Sequence, residues 1–366
     1  MKAKTEYSYA PDYAIRPGET LQEALDERGM TQAELARRAD RPLKTINEIV
    51  RGKAAITADT AIQLERVLGV SASFWGRLEV EYRTAIARAE ERHRLGSGLE
   101  ALDRFPIREM MRHGLIPRTT DKPSTLASLL SFFGVSTLAA LESYLATNQE
   151  ARFRQSSAFT ISTDAVAVWL RWGERKAADT KSGTYDEASF RKALANIRKL
   201  TPEHPRVFEA EMKRLCLDAG VVVVILPELP LTRASGATQW LATDRAVIQL
   251  SIRGRTNDRF WFTFFHEAAH LLLHSRRQIF VEDVKQTGTS SQELEASQWA
   301  AEFLISPEDH DRLLASAYKS ATTITRFARE LGIAPGIVVG RLQNDHHLPW
   351  PTPLNRLKRR FTLAAQ

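Results

Sequence analysis

The sequence contains a single cysteine among its 366 residues. Cys216 therefore has no partner for an intramolecular disulfide, and a zinc cage made of cysteine thiolates is also excluded. Any metal bound within this chain must depend on histidine and carboxylate side chains.

Long apolar runs are also missing. The longest aliphatic run, Ala219 to Leu226, is far shorter than the roughly 20 residues that span a bilayer. The first 19 residues contain no apolar core of signal-peptide length. We therefore expect a protein of the reducing cytoplasm that does not contact a membrane.

The sequence has no low-complexity tract and no internal repeat, and its 43% hydrophobic and 26% charged residues are typical of globular proteins. Its length predicts more than one domain. The net charge of +7 favours contact with a polyanion such as nucleic acid. Because ordinary soluble proteins reach similar charges, this value selects no partner by itself.

Between Ile15 and Glu91 the apolar residues recur every three or four positions, which predicts a bundle of four or five short helices. Thr31 is a predicted N-cap, with Glu34 three residues later as in a capping box. The predicted core consists of Leu21, Leu25, Leu35, Ala36, Ile46, Ile49, Ile62, Leu64, Val67 and Leu68.

Two of these helices have helix-turn-helix spacing, and the second, which begins near Leu43, is the predicted recognition helix. Six basic and two acidic residues lie between Arg37 and Lys53, which predicts a surface for phosphate. Lys44, Asn47 and Glu48 have groups that can read base edges. A small bundle with surface arginines explains the same pattern, and the spacing alone does not decide.

The stretches IRPGETLQEALDERGMTQAELARRA and TINEIVRGKAAITADTAIQLERVLGVSASFW resemble the XRE-type helix-turn-helix of HigA-like antitoxins over residues 15–90. This resemblance implies a homodimer on an inverted repeat of double-stranded DNA. The predicted DNA-binding residues are Gln32, Arg41, Leu43, Lys44, Thr45, Asn47, Arg51 and Lys53. Asp40 replaces the usual glycine of the turn, and aspartate is among the residues that tolerate a left-handed backbone.

The rest of the chain predicts a helical connecting region and then an α+β domain. Buried strands are predicted at 220–226 and 246–252, with a third, exposed strand at 235–242. Helices are predicted at about 186–200, 258–275 and 291–305.

The stretch FFHEAAHLLLH contains His266, Glu267 and His270 in the H-E-x-x-H arrangement. Residues four apart share one face of a helix, so both imidazoles can bind one ion while Glu267 acts as general base. The alternative is a helix with two buried histidines and no metal. The strongly apolar flanks favour a metal, because a buried His pair with a Glu is costly without compensation.

A third ligand must come from elsewhere. The metzincin pattern needs a histidine at position 276, which is Arg276. On the helix that follows, Glu295 and Glu302 share one face and are both candidates. His274 is a candidate for orienting a ligand or contacting substrate, or it only packs, and no spacing selects an oxyanion stabiliser among Tyr185, Tyr318 and His310.

The stretches HEAAHLLLH and EASQWAAEFLISP resemble the ImmA/IrrE-type metallopeptidases, and the resemblance covers about residues 186–345. It implies a zincin-like fold, Zn²⁺ as the cofactor with Mn²⁺ as a substitute in vitro, and Glu295 as the third ligand. The sequence departs from the family at Ser297, where asparagine is usual, at Trp299, and by one residue before Pro307.

The predicted architecture is multidomain: an all-α helix-turn-helix bundle, a helical connector and an α+β zincin-like metallopeptidase domain. The predicted ranges are 1–95, 96–185 and 186–345, followed by a basic C-terminal tail at 346–366.

Three functions are compatible with this architecture. The first is a DNA-binding regulator whose zinc endopeptidase cleaves a helix-turn-helix repressor, or itself, in response to a signal. The second is an antitoxin-like repressor whose zincin domain senses a ligand or partner without proteolysis. The third is a cytosolic peptidase that uses the helix-turn-helix for docking. Glu267 favours turnover, because pure sensing has no need for a general base.

Overall fold

The computed structural model describes residues 15–152, 162–232, 234–251, 256–274, 280–283 and 291–361. The chain divides into two compact units. The first consists of Met1–Leu99 with Asp121–Leu126, and the second of Glu100–Thr120 with Ala127–Gln366.

The first unit contains the predicted short helices, which confirms the expected bundle. They are α1 (Pro17–Asp26), α2 (Gln32–Arg38), α3 (Leu43–Val50), α4 (Ala58–Leu68) and α5 (Ala72–Gly96). The predicted N-cap is present, since the Thr31 hydroxyl accepts a hydrogen bond from the backbone N–H of Glu34. Thr57 and Ser71 cap α4 and α5 in the same way.

The core of this bundle surrounds Trp75, which is fully buried together with Leu21, Leu25 and Leu64. One predicted core residue is wrong: Ile62 is 43% exposed. Because Ala61, Leu64 and Leu68 of α4 face inward, Ile62 lies on the opposite side of the helix, about 200° from Leu64 at roughly 100° per residue.

The turn between α2 and α3 contains Asp40 with a φ of 50°. The predicted left-handed backbone at this position is therefore present, without glycine. Pro42 precedes α3 as its N-cap, where its missing N–H removes no hydrogen bond of the helix.

Eleven further α-helices follow in the described residues; one of them begins in Asp121–Leu126, which belongs to the first unit, and the others lie in the second. They are α6 (Ile107–Arg112), α7 (Lys122–Phe133), α8 (Leu138–Arg152), α9 (Thr163–Ala178), α10 (Glu187–Lys199), α11 (Pro205–Asp218), α12 (Asn257–Leu273), α13 (Ser291–Leu304), α14 (Pro307–Leu314), α15 (Ala321–Leu331) and α16 (Pro335–Asn344). The predicted end of the helix at Ser275 lies outside the described residues, as does Ile252, the predicted end of a strand.

One stretch, Lys122–Thr147, is apolar and long enough to cross a membrane by length and composition. Core helices of soluble proteins pass the same test, so this is weak evidence for a span. In the structure the stretch is interrupted after Phe133, where Gly134 has a φ of 74°.

The sheet of the second unit has the strand order β1-β3-β2-β4. The strands are β1 (Val221–Leu226), β2 (Ala234–Ala242), β3 (Arg245–Ser251) and β4 (Phe280–Asp283). β1 pairs with β3 in parallel, and β2 pairs antiparallel with both β3 and β4. β2 was expected to be exposed, but it lies between two strands and its first six residues are buried. The sequence pattern did not predict β4.

Helices cover this sheet, and α12 contacts β2, β3, α13 and α16. α9 also packs on the sheet, because the Gln249 amide on β3 donates to the carbonyl oxygen of Trp169 at 2.7 Å. Arg245 donates to the carbonyl oxygens of Ala177 and Thr180. A helix assigned from sequence to the connecting region is therefore part of the α+β layer.

Arg198 of α10 joins the ends of two later helices. Its guanidinium donates to the carbonyl oxygens of Phe303 and Leu304 at the end of α13 and of Leu331 at the end of α15, at 2.7–2.9 Å. A cation at this position also complements the negative end of both helix dipoles. Burial lowers the pKa of Arg198.

The segment after residue 345 packs on the same unit up to Phe361. Leu354 and Phe361 are buried, and the Lys358 ammonium lies 2.5 Å from the carboxylate of Asp258. The structure therefore describes the predicted basic tail as part of the second unit as far as residue 361.

Candidate metal centre and nucleic-acid interface

α12 brings two imidazoles into the core of the second unit. Trp261, Phe264 and Phe265 on this helix are fully buried, and the polar residues His266, Glu267 and His270 are buried as well. His266 and His270 are each 2% exposed, and their Nε2 atoms lie 3.0 Å apart. The predicted pairing of these two histidines on one face is present.

The third group at this point is Glu293, on the neighbouring helix α13. Its carboxylate oxygens lie 3.0 Å from Nε2 of His266 and 3.4 Å from Nε2 of His270. One ligand atom from each of the three residues lies within 4.8 Å of the others, and all three residues are buried. Two nitrogens and one carboxylate oxygen therefore converge.

The sequence predicted Glu295 as the third ligand, but the structure places Glu293, two residues earlier, beside the two imidazoles. Glu293 lies on the buried stripe of α13 together with Ala296, Ala300 and Leu304. Glu295 is about 200° further around the helix, its side chain is 59% exposed, and it contacts His274. The other candidate, Glu302, is exposed and accepts a hydrogen bond from Gln298.

The environment of these groups changes their pKa values. Burial, aided by the neighbouring histidines, outweighs the hydrogen bond with Glu293 and lowers the pKa of His270 to about 4. Burial alone would raise the pKa of Glu293, but hydrogen bonds with both histidines bring it down to about 2. A neutral imidazole beside an ionised carboxylate is the protonation state in which these side chains bind a cation.

The outer nitrogens of the two imidazoles have different partners. Nδ1 of His266 lies 3.2 Å from the hydroxyl of Ser297. Nδ1 of His270 lies 2.9 Å from Nδ1 of His274, whose Nε2 is in turn 3.3 Å from Glu295. Each of the two imidazoles therefore has a polar neighbour at its Nδ1.

Glu267 projects toward the sheet. It is fully buried, and the Thr238 hydroxyl on β2 lies 2.7 Å from its Oε2. Gly236 on the same strand leaves the space this side chain occupies, since a Cβ there would lie 2.6 Å from Oε1 of Glu267. Sequence patterns identified neither of these β2 residues, because strand and helix meet only in the folded chain.

These side chains fit a divalent cation. Two imidazole nitrogens and one carboxylate oxygen form the donor set of hydrolytic zinc sites, which keep a further position open. Burying these polar groups so closely together is costly, and a cation between them would compensate the cost. The residues that would bind it are His266, His270 and Glu293.

The candidate oxyanion stabilisers make other contacts. Tyr185 packs against Phe190 and Trp240. His310 lies 3.1 Å from the carboxylate of Asp345, and the Tyr318 ring is near His347. None of these contacts selects one of the three as an oxyanion stabiliser.

In the first unit, α3 contains four of the predicted DNA-binding residues. The Lys44 side chain is 85% exposed and lies 3.9 Å from Glu48, a weak pairing that DNA can replace. Leu43 is also exposed, and Thr45 and Asn47 are half-buried. Arg51 and Lys53 follow in the exposed segment after the helix.

Two of the predicted DNA-binding residues are already hydrogen-bonded within the bundle. The Gln32 amide donates to the side-chain oxygen of Gln22 on α1 at 2.6 Å. Arg41 donates through Nε to Gln63 on α4 at 2.6 Å. These bonds orient both side chains.

The fold and the two sites define a protein with a helix-turn-helix module and an α+β module that contains a candidate metal centre. Residues 21–75 match the family described as helix-turn-helix, and residues 216–343 match the IrrE N-terminal-like domain, a peptidase family. The chain belongs to the XRE-type helix-turn-helix family of DNA-binding transcriptional regulators and also contains an IrrE/ImmA-like domain.

Several known proteins are similar to about a fifth of this chain. An uncharacterized HTH-type transcriptional regulator, YddM of Escherichia coli strain K12, is 37% identical over 76 residues, which are 21% of this chain and 79% of that protein. Virulence-associated protein I of Dichelobacter nodosus is 38% identical over 79 residues, 21% of this chain and 73% of that protein. The solved structure of Pseudomonas aeruginosa antitoxin HigA with the higBA promoter is 42% identical and covers 22% of this chain and 87% of that chain, with a TM-score of 0.21.

Proposed function

We propose that this protein is a transcriptional regulator with a built-in zinc-dependent endopeptidase. Its substrate would be a helix-turn-helix repressor or a second copy of the chain itself, cleaved in response to a signal. The observation that carries the proposal is the convergence of His266, His270 and Glu293, with Glu267 next to His266 on α12.

The proposed chemistry assigns each side chain one role. His266, His270 and Glu293 would bind the zinc, which when present supplies a Lewis acid for peptide hydrolysis. Glu267 accepts the proton of the attacking water and passes it to the leaving amine. Thr238 orients this carboxylate through the 2.7 Å hydrogen bond. Glu267 on α12 and Thr238 on β2 thus form the proposed general base, and Glu293 on α13 completes the proposed ligand set.

The proposed partner of the first unit is operator DNA. α3 would enter the major groove with Leu43, Lys44, Thr45 and Asn47 toward the bases, while Gln32, Arg41, Arg51 and Lys53 contact phosphates. We propose a homodimer on an inverted repeat, because a two-fold protein matches a two-fold site. A regulator that contacts chromosomal DNA would act in the cytoplasm.

The peptidase assignment is tested with the full chain and its Glu267→Gln variant, which keeps the three ligand side chains. Both proteins are loaded with zinc and incubated alone and with candidate repressors, and fragments are identified by mass spectrometry. We expect fragments with the wild type only. Identical fragment patterns for both proteins, with every substrate, would exclude proteolysis by Glu267.

A second candidate function is regulation without proteolysis, in which the α+β unit senses a ligand or partner. The fully buried position of Glu267 favours it, because a general base must meet substrate and water. Promoter binding by wild type and Glu267→Gln, measured with and without zinc, separates the two functions. A metal-dependent change of DNA affinity that is the same in both proteins supports sensing.

A further inference from the structure

The His270 side chain has a histidine neighbour, His274, that is not one of the three converging groups. His274 ends α12 in an extended conformation, with φ of −116° and ψ of 165°, so it leaves the helix where a regular turn would have continued. Its side chain is nevertheless only 3% exposed. The imidazole is thus buried against His270, with ring centroids 5.0 Å apart.

The contacts of this imidazole form a chain from the buried ligand to the surface. Nδ1 of His274 lies 2.9 Å from Nδ1 of His270, and Nε2 of His274 lies 3.3 Å from the carboxylate of Glu295. Glu295 is the exposed end of this chain. Glu295, the ligand predicted from sequence, is therefore close to the candidate metal centre, but the imidazole of His274 separates it from His270.

We propose that His274 and Glu295 are positioning residues that orient His270 and strengthen metal binding. The inference rests on the proposed metal centre. With Nε2 of His270 on the metal, the proton of that ring is on Nδ1, which donates to Nδ1 of His274. His274 must then be protonated on Nε2, which donates to Glu295. A hydrogen-bonded carboxylate at the far end makes the ligand nitrogen a better donor to a cation.

The two inner histidines differ in this respect. His266 has the Ser297 hydroxyl at its Nδ1, a neutral partner that carries no charge into the centre. His270 has an imidazole backed by a carboxylate. A charged acceptor gives the stronger hydrogen bond. We therefore expect the partners of His270 to contribute more to metal affinity than the partner of His266.

The first test is zinc affinity of the full chain, measured by competition with a chromophoric chelator. We expect His274→Leu to weaken binding by about tenfold or more, which is the usual loss on removing such a partner. His274→Gln should bind more tightly than His274→Leu, because its amide oxygen still accepts from Nδ1 of His270. Equal affinities for wild type and both variants would refute the positioning role.

Glu302 offers a matched control for Glu295. Both are exposed glutamates of α13, and Glu302 bonds only to Gln298 among the contacts described. Glu295→Ala should weaken zinc binding by a smaller factor than His274→Leu, whereas Glu302→Ala should leave it unchanged. Equal effects of the two alanine variants would show a general charge effect and refute the proposed role of the contacts from His270 through His274 to Glu295.

The second test is spectroscopic and does not depend on whether the variants fold. Nitrogen-15 shifts of the imidazoles in the zinc-loaded wild type report which nitrogen carries the proton. The proposal requires the Nε2–H tautomer for His274, and an Nδ1–H tautomer overturns it. A wild type that binds no zinc overturns the metal centre and this inference together, whereas zinc binding without the expected tautomer overturns the inference alone.

Discussion

Replacing Glu293 with glutamine tests the ligand assignment most directly. Glutamine keeps the shape of the side chain but has no negative charge to offer a cation. Zinc binding to folded protein sites contributes roughly 10–16 kcal/mol over four protein ligands, so one ligand is worth about 2.5–4 kcal/mol. That range corresponds to a loss of about a hundredfold to a thousandfold in affinity.

The assay is zinc competition against a chelator on the full chain, with metal stoichiometry measured on the same samples. Glu295→Gln is the comparison, because it makes the same change two residues away, at the position expected from sequence. We expect Glu293→Gln to lose far more affinity than Glu295→Gln. A Glu293→Gln protein within about threefold of wild type would refute the reasoning, and the reverse order of the two variants would restore Glu295 as the ligand.

Three further predictions concern other parts of the chain. Gly236→Ala should destabilise the second unit by about 1–3 kcal/mol and displace Glu267, because the new Cβ would lie 2.6 Å from Oε1 of Glu267. Gly183→Ala is the control, since a Cβ there meets nothing within 4 Å. Equal denaturation midpoints for the two variants would contradict this prediction. Leu64→Ala should destabilise the helical bundle by about 2–5 kcal/mol, while Ile62→Ala should have little effect on thermal unfolding, and similar losses would contradict the burial assignment. Lys44→Ala should weaken promoter binding and reduce its salt slope by about one, and an unchanged slope in a salt titration would remove Lys44 from the interface.

The helical bundle could be predicted from sequence because its signals are local. Thr31 caps a helix three residues before Glu34, and Asp40 takes the turn conformation that its short polar side chain tolerates. Ile62 was misplaced because the apolar residues of α4 permit more than one buried face. Only contacts with the rest of the bundle select the buried one.

The metal centre was predictable only in part. His266 and His270 belong to one helix, so their spacing alone brings them together. Glu293 comes from a second helix, and its orientation depends on the buried stripe formed by Ala296, Ala300 and Leu304. Extending that stripe backward by one turn reaches Glu293, which is the signal in the sequence that would have identified it.

The α+β layer was less predictable for a related reason. The sequence of β2 does not alternate clearly between apolar and polar residues, so it does not show that strands pair with both of its edges. The interior position of β2 follows from its pairing with β4, which the sequence did not predict. The position of α9 depends on Gln249, an interior polar residue whose partner is a helix carbonyl 80 positions earlier. Pairings over such distances leave no periodic pattern in the sequence.

The position of Arg198 determines how this protein can be divided for separate study. The region that matches the peptidase family begins at residue 216, but Arg198 and α9 come before it. A fragment that starts at the family boundary would leave the carbonyl ends of α13 and α15 without the Arg198 donor and would lack α9, which contacts β1, β2 and β3. A fragment suited to crystallisation or metal titration should therefore begin upstream of α9, at least 50 residues before the point that sequence similarity indicates.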